Sequence, residues 1–243
     1  MKNRIRITAL ALAAVLVTLG CSAQADPVTD RLKATLQARL GDDATVKSVA
    51  KSPIAGLYEV NLGRQIVYSD ASGNYLVFGD IIDAKTRRNL TEARQAELNR
   101  IDFASLPFAD AVKVVKGNGS RKMAVFSDPN CPYCKQLENT LKSISNVTVY
   151  TFLYPVLTPD SSVKAKSIWC SPDRAKAWEA WMQDHKAPTA PGTCDTAAID
   201  KNLTLGRAMN VDGTPTVFLA DGTRLPGAVP ADQLDKALSS AVR

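Results

Sequence analysis

Apolar positions change their spacing several times along the chain, and each change marks a different kind of element. A first apolar run, from Ile7 to Leu19, follows Lys2, Arg4 and Arg6 and ends before Ala23-Gln24-Ala25. Leu32, Leu36 and Leu40 then recur at i, i+4 and i+8, with Gly41 as a stop, and predict a narrow amphipathic helix over residues 26–43. The period drops to two over residues 45–83, giving strand candidates at 45–49, 57–62, 65–68 and 75–82. Residues 91–102 form a helical pattern that is polar nearly all round, the mark of a helix bridging domains through solvent. Beyond Pro107, residues 111–116 suit a strand or a short helix, and β-type runs follow at 121–126 and 147–153 with helical spacing of Leu137 and Leu141 between them. Residues 161–210 are helical by pattern, broken by a Pro- and Gly-containing loop at 185–192. A strand at 216–219, the Asp221-Gly222 turn, a short strand at Arg224-Leu225 and an amphipathic helix over 231–242 close the chain.

These elements predict an α+β protein. A small sheet with one helix occupies residues 26–87, a linker helix 88–105, and a larger domain with a helical insertion 106–243. A unit of about 60 residues has a marginal core, and an exposed sheet edge offers pairing with a second copy. Dimerisation through residues 26–87 is therefore expected, the alternative being that this unit packs on the larger domain.

Residues 1–25 read as a secretory signal: a basic start, a short apolar run, and a small-x-small site that places cleavage after Ala25. Leu19-Gly20-Cys21 offers lipid attachment at Cys21 as the alternative. Loss of Lys2, Arg4 and Arg6 takes the formal charge from +6 to +3, so the basic balance belongs mostly to the leader and points to no nucleic acid. The chain is 45% hydrophobic, and four cysteines follow residue 25, an even number that suits an oxidising compartment.

The stretch most specific for chemistry is Cys131-Pro132-Tyr133-Cys134, between the apolar run Met123-Ala124-Val125-Phe126 and a helical pattern. Unpaired N–H groups of a first helical turn favour a thiolate over a thiol, and Pro132 fits the first helical position. Cys131 is then expected to be an exposed nucleophile, with Cys134 its partner one turn in. A structural zinc needs about four Cys or His ligands, and the chain has one histidine, His185, and no second Cys-x-x-Cys. No metal and no cofactor is called for, and redox chemistry is preferred over the lesser alternatives, a zinc site and an inert structural bridge between these two cysteines. His185 stands in a Lys- and Pro-containing loop, solvated and away from any base, which excludes a Cys-His protease.

Gly213-Thr214-Pro215 leads into the strand 216–219, and a proline there suits a cis bond in a tight turn. Cys170 and Cys194, 24 positions apart, flank the helical insertion; four cysteines allow three pairings, and this pair is assigned as a structural bridge worth about 3 kcal/mol, with a second redox pair as the alternative. Trp169, Trp178 and Trp181 read as anchors of a small helical core, and Asp128 as a cap for the next turn or an influence on the dithiol.

The dithiol together with Thr214-Pro215 resembles the thioredoxin fold. Phe126-Ser127-Asp128, Ile168-Trp169-Cys170, Cys194-Asp195, Asp221-Gly222-Thr223 and Pro226-Gly227 extend that resemblance, over nearly the whole mature chain, to the bacterial periplasmic disulfide isomerases of the DsbC/DsbG family. Pro132-Tyr133 is similar to the DsbG type, and the Cys170 and Cys194 pair to DsbC. The resemblance implies a periplasmic, V-shaped homodimer whose dithiols face an apolar cleft holding misfolded, disulfide-containing secreted proteins, with chaperone activity. It implies that a membrane reductase of the DsbD type keeps the dithiol reduced. It also implies that Cys131 attacks, Cys134 resolves, Pro132, Tyr133, Thr214 and Pro215 meet substrate, and Cys170–Cys194 is structural. Two rival readings are a net oxidant of the DsbA kind and a non-catalytic dimeric chaperone.

Overall fold

The computed structural model describes residues 26–63 and 65–242. The leader, Cys21 and the cleavage after Ala25 lie outside the described residues.

The leucine spacing near the N-terminus does form a helix, α1 (Pro27–Leu40), capped by Asp26, whose side chain accepts from the Val28 N–H. Its Leu32 and Leu36 are each 1% exposed and pack on Val46, Val60 and Val67. These valines stand on or beside an antiparallel sheet of β1 (Ser48–Lys51), β2 (Leu57–Asn61), β3 (Ile66–Asp70) and β4 (Leu76–Val77), paired in that order. Val60 faces Val67 across the ladder, which puts both under the helix.

β4 is much shorter than the alternating pattern over 75–82 predicts. It pairs only through Leu76 and Val77, and soon afterwards the Ile81 N–H turns to the Thr91 hydroxyl instead of a ladder carbonyl. Thr91 belongs to α2 (Leu90–Leu98), the polar helix expected to bridge through solvent. It lies instead against the sheet: Thr91 is buried and bonded to Tyr68 Oη at 2.5 Å, and Arg94 pairs with Glu59 at 3.1 Å. Polar side chains here provide the contact that an apolar stripe provides elsewhere, so hydrophobic periodicity does not show it.

Single 3-10 turns at Phe103–Ser105 and Phe108–Asp110 lead into β5 (Val112–Lys116), a strand rather than a helix. It joins β6 (Arg121–Ser127), β7 (Val147–Leu153), β8 (Thr216–Leu219) and β9 (Arg224–Pro226) in a sheet of order β5-β7-β6-β8-β9. Only β6 and β7 run parallel, and α3 (Pro132–Thr140) crosses between them. Alternation along these strands builds two cores. Met123, Val125, Val149 and Val217 meet Leu137 of α3 and Leu234 and Leu238 of α7 (Ala231–Ser240). Phe126, Phe152 and Phe218 point the other way, with the first two rings stacked 5.0 Å apart.

Between β7 and β8 the chain inserts α4 (Pro159–Trp169), α5 (Arg174–Asp184) and α6 (Ala197–Ala208). Thr158 and Ser161 form a reciprocal capping box at the start of α4. Trp178 and Met182 of α5, both 0% exposed, join Ile168 and Trp169 of α4 in a third core under the start of α3. Cys170 at the end of α4 is disulfide-bonded to Cys194 ahead of α6. The segment after α2 rests on the β8–β9 turn, where the Ile101 N–H donates to the Gly222 carbonyl at 3.1 Å and Arg100 lies 3.7 Å from Asp221.

Candidate active site

The strand β6 ends at Ser127, and the loop 128–131 delivers the chain into α3 with Cys131 as its N-cap. Pro132 occupies the first helical position, where a missing N–H costs nothing. In this conformation the Cys131 Sγ accepts the Cys134 backbone N–H at 3.4 Å, and as a thiol it donates to the Thr214 carbonyl at 3.1 Å. The Thr214-Pro215 peptide bond is cis, and it carries that carbonyl to the sulfur from 83 residues away in sequence. Cys131, Cys134, Thr214 and Pro215 are thus brought together, as the sequence predicts.

Exposure differs from expectation. Cys131 is 2% exposed, because the Thr214 loop closes over it, and Cys134 is fully buried; Tyr133 between them is 64% exposed. The two thiols also differ in acidity. The Cys131 pKa is lowered to about 6, first by hydrogen bonding with the Cys134 thiol, then by the Thr214 side chain and the backbone N–H groups of Cys134 and Tyr133, against an opposing effect of burial. The Cys134 pKa is raised, above all by burial and then by its neighbour Cys131. One thiol is held ready to ionise and the other kept protonated.

Several residues near the dithiol do something other than their sequence reading. Asp128 does not cap α3; its fully buried carboxylate accepts from Asn130 N, Val156 N, Leu157 N and Ser161 Oγ at 2.7–2.9 Å, tying the dithiol loop to the β7–α4 connection. Of the three tryptophans, Trp169 and Trp178 are buried core residues. Trp181 is only half-buried, and its Nε1–H donates to the Pro129 carbonyl at 2.6 Å. Glu138, one turn beyond Cys134 and buried, accepts from Trp178 Nε1 at 2.7 Å, and burial first of all raises its carboxyl pKa. An acidic residue with helical spacing from Cys134 was visible in the sequence; its burial was not. His185 is exposed as expected, with Nδ1 3.3 Å from Lys135 Nζ.

Among the described residues no group of three or more His, Cys, Asp or Glu side chains could hold a metal, and no helix is long and apolar enough to cross a membrane.

Comparison with known proteins agrees with this geometry in both halves. A family described as the disulfide bond isomerase protein N-terminal domain matches residues 22–92, and one described as a thioredoxin-like domain matches residues 108–241. The chain is 48% identical over 220 residues to a probable thiol:disulfide interchange protein DsbC of Bordetella pertussis, covering 89% of this chain and 77% of that one. It is 31% identical over 225 residues to thiol:disulfide interchange protein DsbC of Dickeya dadantii, covering 90% of each. A crystal structure of a disulfide interchange protein from Neisseria gonorrhoeae superposes with a TM-score of 0.55 at 40% identity, over 57% of this chain and 99% of that one. With a dithiol at a helix start, a cis-proline loop against it and relatives that span both halves of the chain, this protein belongs to the DsbC family of thiol:disulfide interchange proteins, on a thioredoxin-like fold.

Proposed function

We propose that the protein isomerises wrong disulfides in secreted proteins of the periplasm, with Cys131 as the attacking thiol and Cys134 as the resolving one. The observation that carries this is the split in acidity between two thiols three residues apart at the start of α3. A thiol with a pKa of about 6 is mostly thiolate at neutral pH, and it is also a good leaving group.

The Cys131 thiolate attacks one sulfur of a substrate disulfide, forming a mixed disulfide and freeing the other sulfur as a thiolate. That thiolate attacks a second substrate bridge. The thiolate released there attacks the substrate sulfur bound to Cys131, so Cys131 leaves as a thiolate and no net electrons move. If rearrangement stalls, Cys134 gives up its proton and attacks Cys131 Sγ; the substrate leaves with two more electrons and the enzyme leaves oxidised. Burial of Cys134, the first cause of its raised pKa, disfavours its thiolate and so slows this escape, which gives the substrate time to rearrange. A membrane reductase of the DsbD type restores the dithiol.

In this reading residues 26–87 dimerise, 88–105 link and 106–243 carry catalysis, after a leader cleaved following Ala25. The free edge at β4 supports a homodimer: Tyr75 is 72%, Val77 50% and Phe78 66% exposed beside a two-residue edge strand. Pro132, Tyr133, Thr214 and Pro215 form the rim that meets substrate, Cys170–Cys194 braces the insertion, and the dimer's cleft provides chaperone activity.

The test is reshuffling of a scrambled-disulfide substrate by Cys131→Ala protein. Turnover is expected to vanish, and retained turnover overturns the assignment. Acid-quenched thiol trapping in cells reads the direction of flow: a mostly reduced Cys131 fits an isomerase, and a mostly oxidised one makes the protein a net oxidant.

A further inference from the structure

The three residues before Cys131 are held largely by one part of the molecule. The Asp128 carboxylate takes the N–H groups of Val156 and Leu157 and the hydroxyl of Ser161. The Pro129 carbonyl takes the indole N–H of Trp181, and Asn130 Nδ2 donates to Thr158 Oγ1 at 3.0 Å and Asp160 Oδ2 at 2.8 Å. Every one of these partners belongs to the β7–α4 connection, α4 or α5. The last link to the thiol residue is internal to the loop, since the Cys131 N–H donates to the Asp128 carbonyl at 3.1 Å.

We propose that Trp181 is a positioning residue for thiol–disulfide exchange at Cys131, and that the α4–α5 insertion acts as the brace of the dithiol loop. This rests on Cys131 being the attacking thiol. Pro129 is buried, so its carbonyl must find a donor inside the protein, and Trp181 supplies it. Holding that carbonyl fixes the peptide plane before Asn130 and, through it, the extended N-cap conformation of Cys131 (φ −75°, ψ 121°). In that conformation Sγ accepts the Cys134 N–H of the first helical turn, which favours the thiolate.

The indole ring has a second set of neighbours that does not depend on its N–H. Lys135 Nζ lies 4.3 Å and Lys164 Nζ 4.7 Å from the ring centroid; Lys164 also pairs with Asp160, and Lys135 meets His185. Trp181→Phe keeps an aromatic face, though a smaller one, for both ammonium groups and deletes the donor, so the charges around the ring are retained while the hydrogen bond is lost.

The experiment follows Cys131 alkylation by iodoacetamide against pH in the full-length reduced chain, with the modified cysteine identified by mass spectrometry. In Trp181→Phe the midpoint is expected to rise by about half a unit to one unit, the range spanned by one ordinary hydrogen bond. At about pH 5.5 the alkylation rate then falls about three- to eightfold, while at about pH 9, where the thiolate is fully formed in both proteins, it is unchanged. A profile identical to wild type overturns the positioning role. A wild-type Cys131 that titrates as an ordinary thiol, near pH 8.5, overturns the attacking-thiol assignment and the proposal with it. If Trp181→Phe does not fold, Ser161→Ala, which removes one donor to Asp128 in the same brace, is read in the same way: a raised midpoint supports the brace and an unchanged one overturns it.

Discussion

Asp128→Asn is the smallest change that attacks the joint between the dithiol loop and the β7–α4 connection. The substitution keeps the shape of the side chain and turns one acceptor oxygen into a donor NH₂. In one orientation the NH₂ faces Val156 N and Leu157 N, now 2.8 and 2.9 Å from an atom that cannot accept, and two backbone N–H groups are orphaned. In the other it faces Asn130 N at 2.7 Å and Ser161 Oγ at 2.8 Å. A serine hydroxyl can turn to accept, so only the Asn130 N–H loses its partner, and the variant will settle this way. An orphaned buried donor costs about 1–3 kcal/mol, and exchanging a charged acceptor for a neutral one at the two surviving backbone bonds costs roughly 1 kcal/mol more. The sum is about 2–4 kcal/mol. Urea unfolding of the reduced chain, followed by far-UV circular dichroism, measures it as a fall in midpoint with unchanged slope. A loss below about 0.5 kcal/mol, the scatter of ordinary surface substitutions, would show that the four short contacts do not form a stabilising joint.

Two further predictions concern other parts of the molecule. Glu138 carries a carboxyl whose pKa burial raises above its usual 4.5, so the unfolded chain gives up this proton at lower pH than the folded one does. Stability is then lost as pH rises from the unfolded value through the folded one. Glu138→Gln keeps an acceptor for Trp178 Nε1 and removes this loss; urea midpoints should be alike at about pH 4 and higher in the variant at about pH 8, and an unchanged pH dependence refutes the burial argument. Gly222 has φ +85°, and a Cβ there would stand 2.2 Å from the Ile101 carbonyl oxygen. Gly222→Ala should therefore lift residues 100–101 off the β8–β9 turn, read as faster hydrogen exchange at the Ile101 amide, and exchange at the wild-type rate counts against the contact.

The periodic elements were legible because each depends on a spacing that can be read locally. Leu32 and Leu36 did mark the buried stripe of α1, the β-branched run over 147–153 did become β7, and Leu234 and Leu238 did give α7 its core face. Where polar groups decide, the pattern was silent. Nothing in the polar run after Asn89 shows that Thr91 and Arg94 dock on Tyr68 and Glu59, and nothing in an alternating stretch shows that β4 stops after Val77. Trp181 looked like its two neighbours because an indole in a helix reads as core; what sets it apart is the Pro129 carbonyl, 52 residues away.

The sequence by itself determined the chemistry of the dithiol. A Cys-Pro-Tyr-Cys run between a strand and a helix carries its own electrostatics, since the N–H groups that favour the thiolate come from the adjoining turn. Tertiary structure alone decided how that chemistry is graded and held. Burial of Cys134, closure of the Thr214 carbonyl over Cys131 and the grip of α4 and α5 on residues 128–130 all depend on groups far apart in the chain. Their hydrogen bonds and desolvation exist only once the sheet and the insertion have packed.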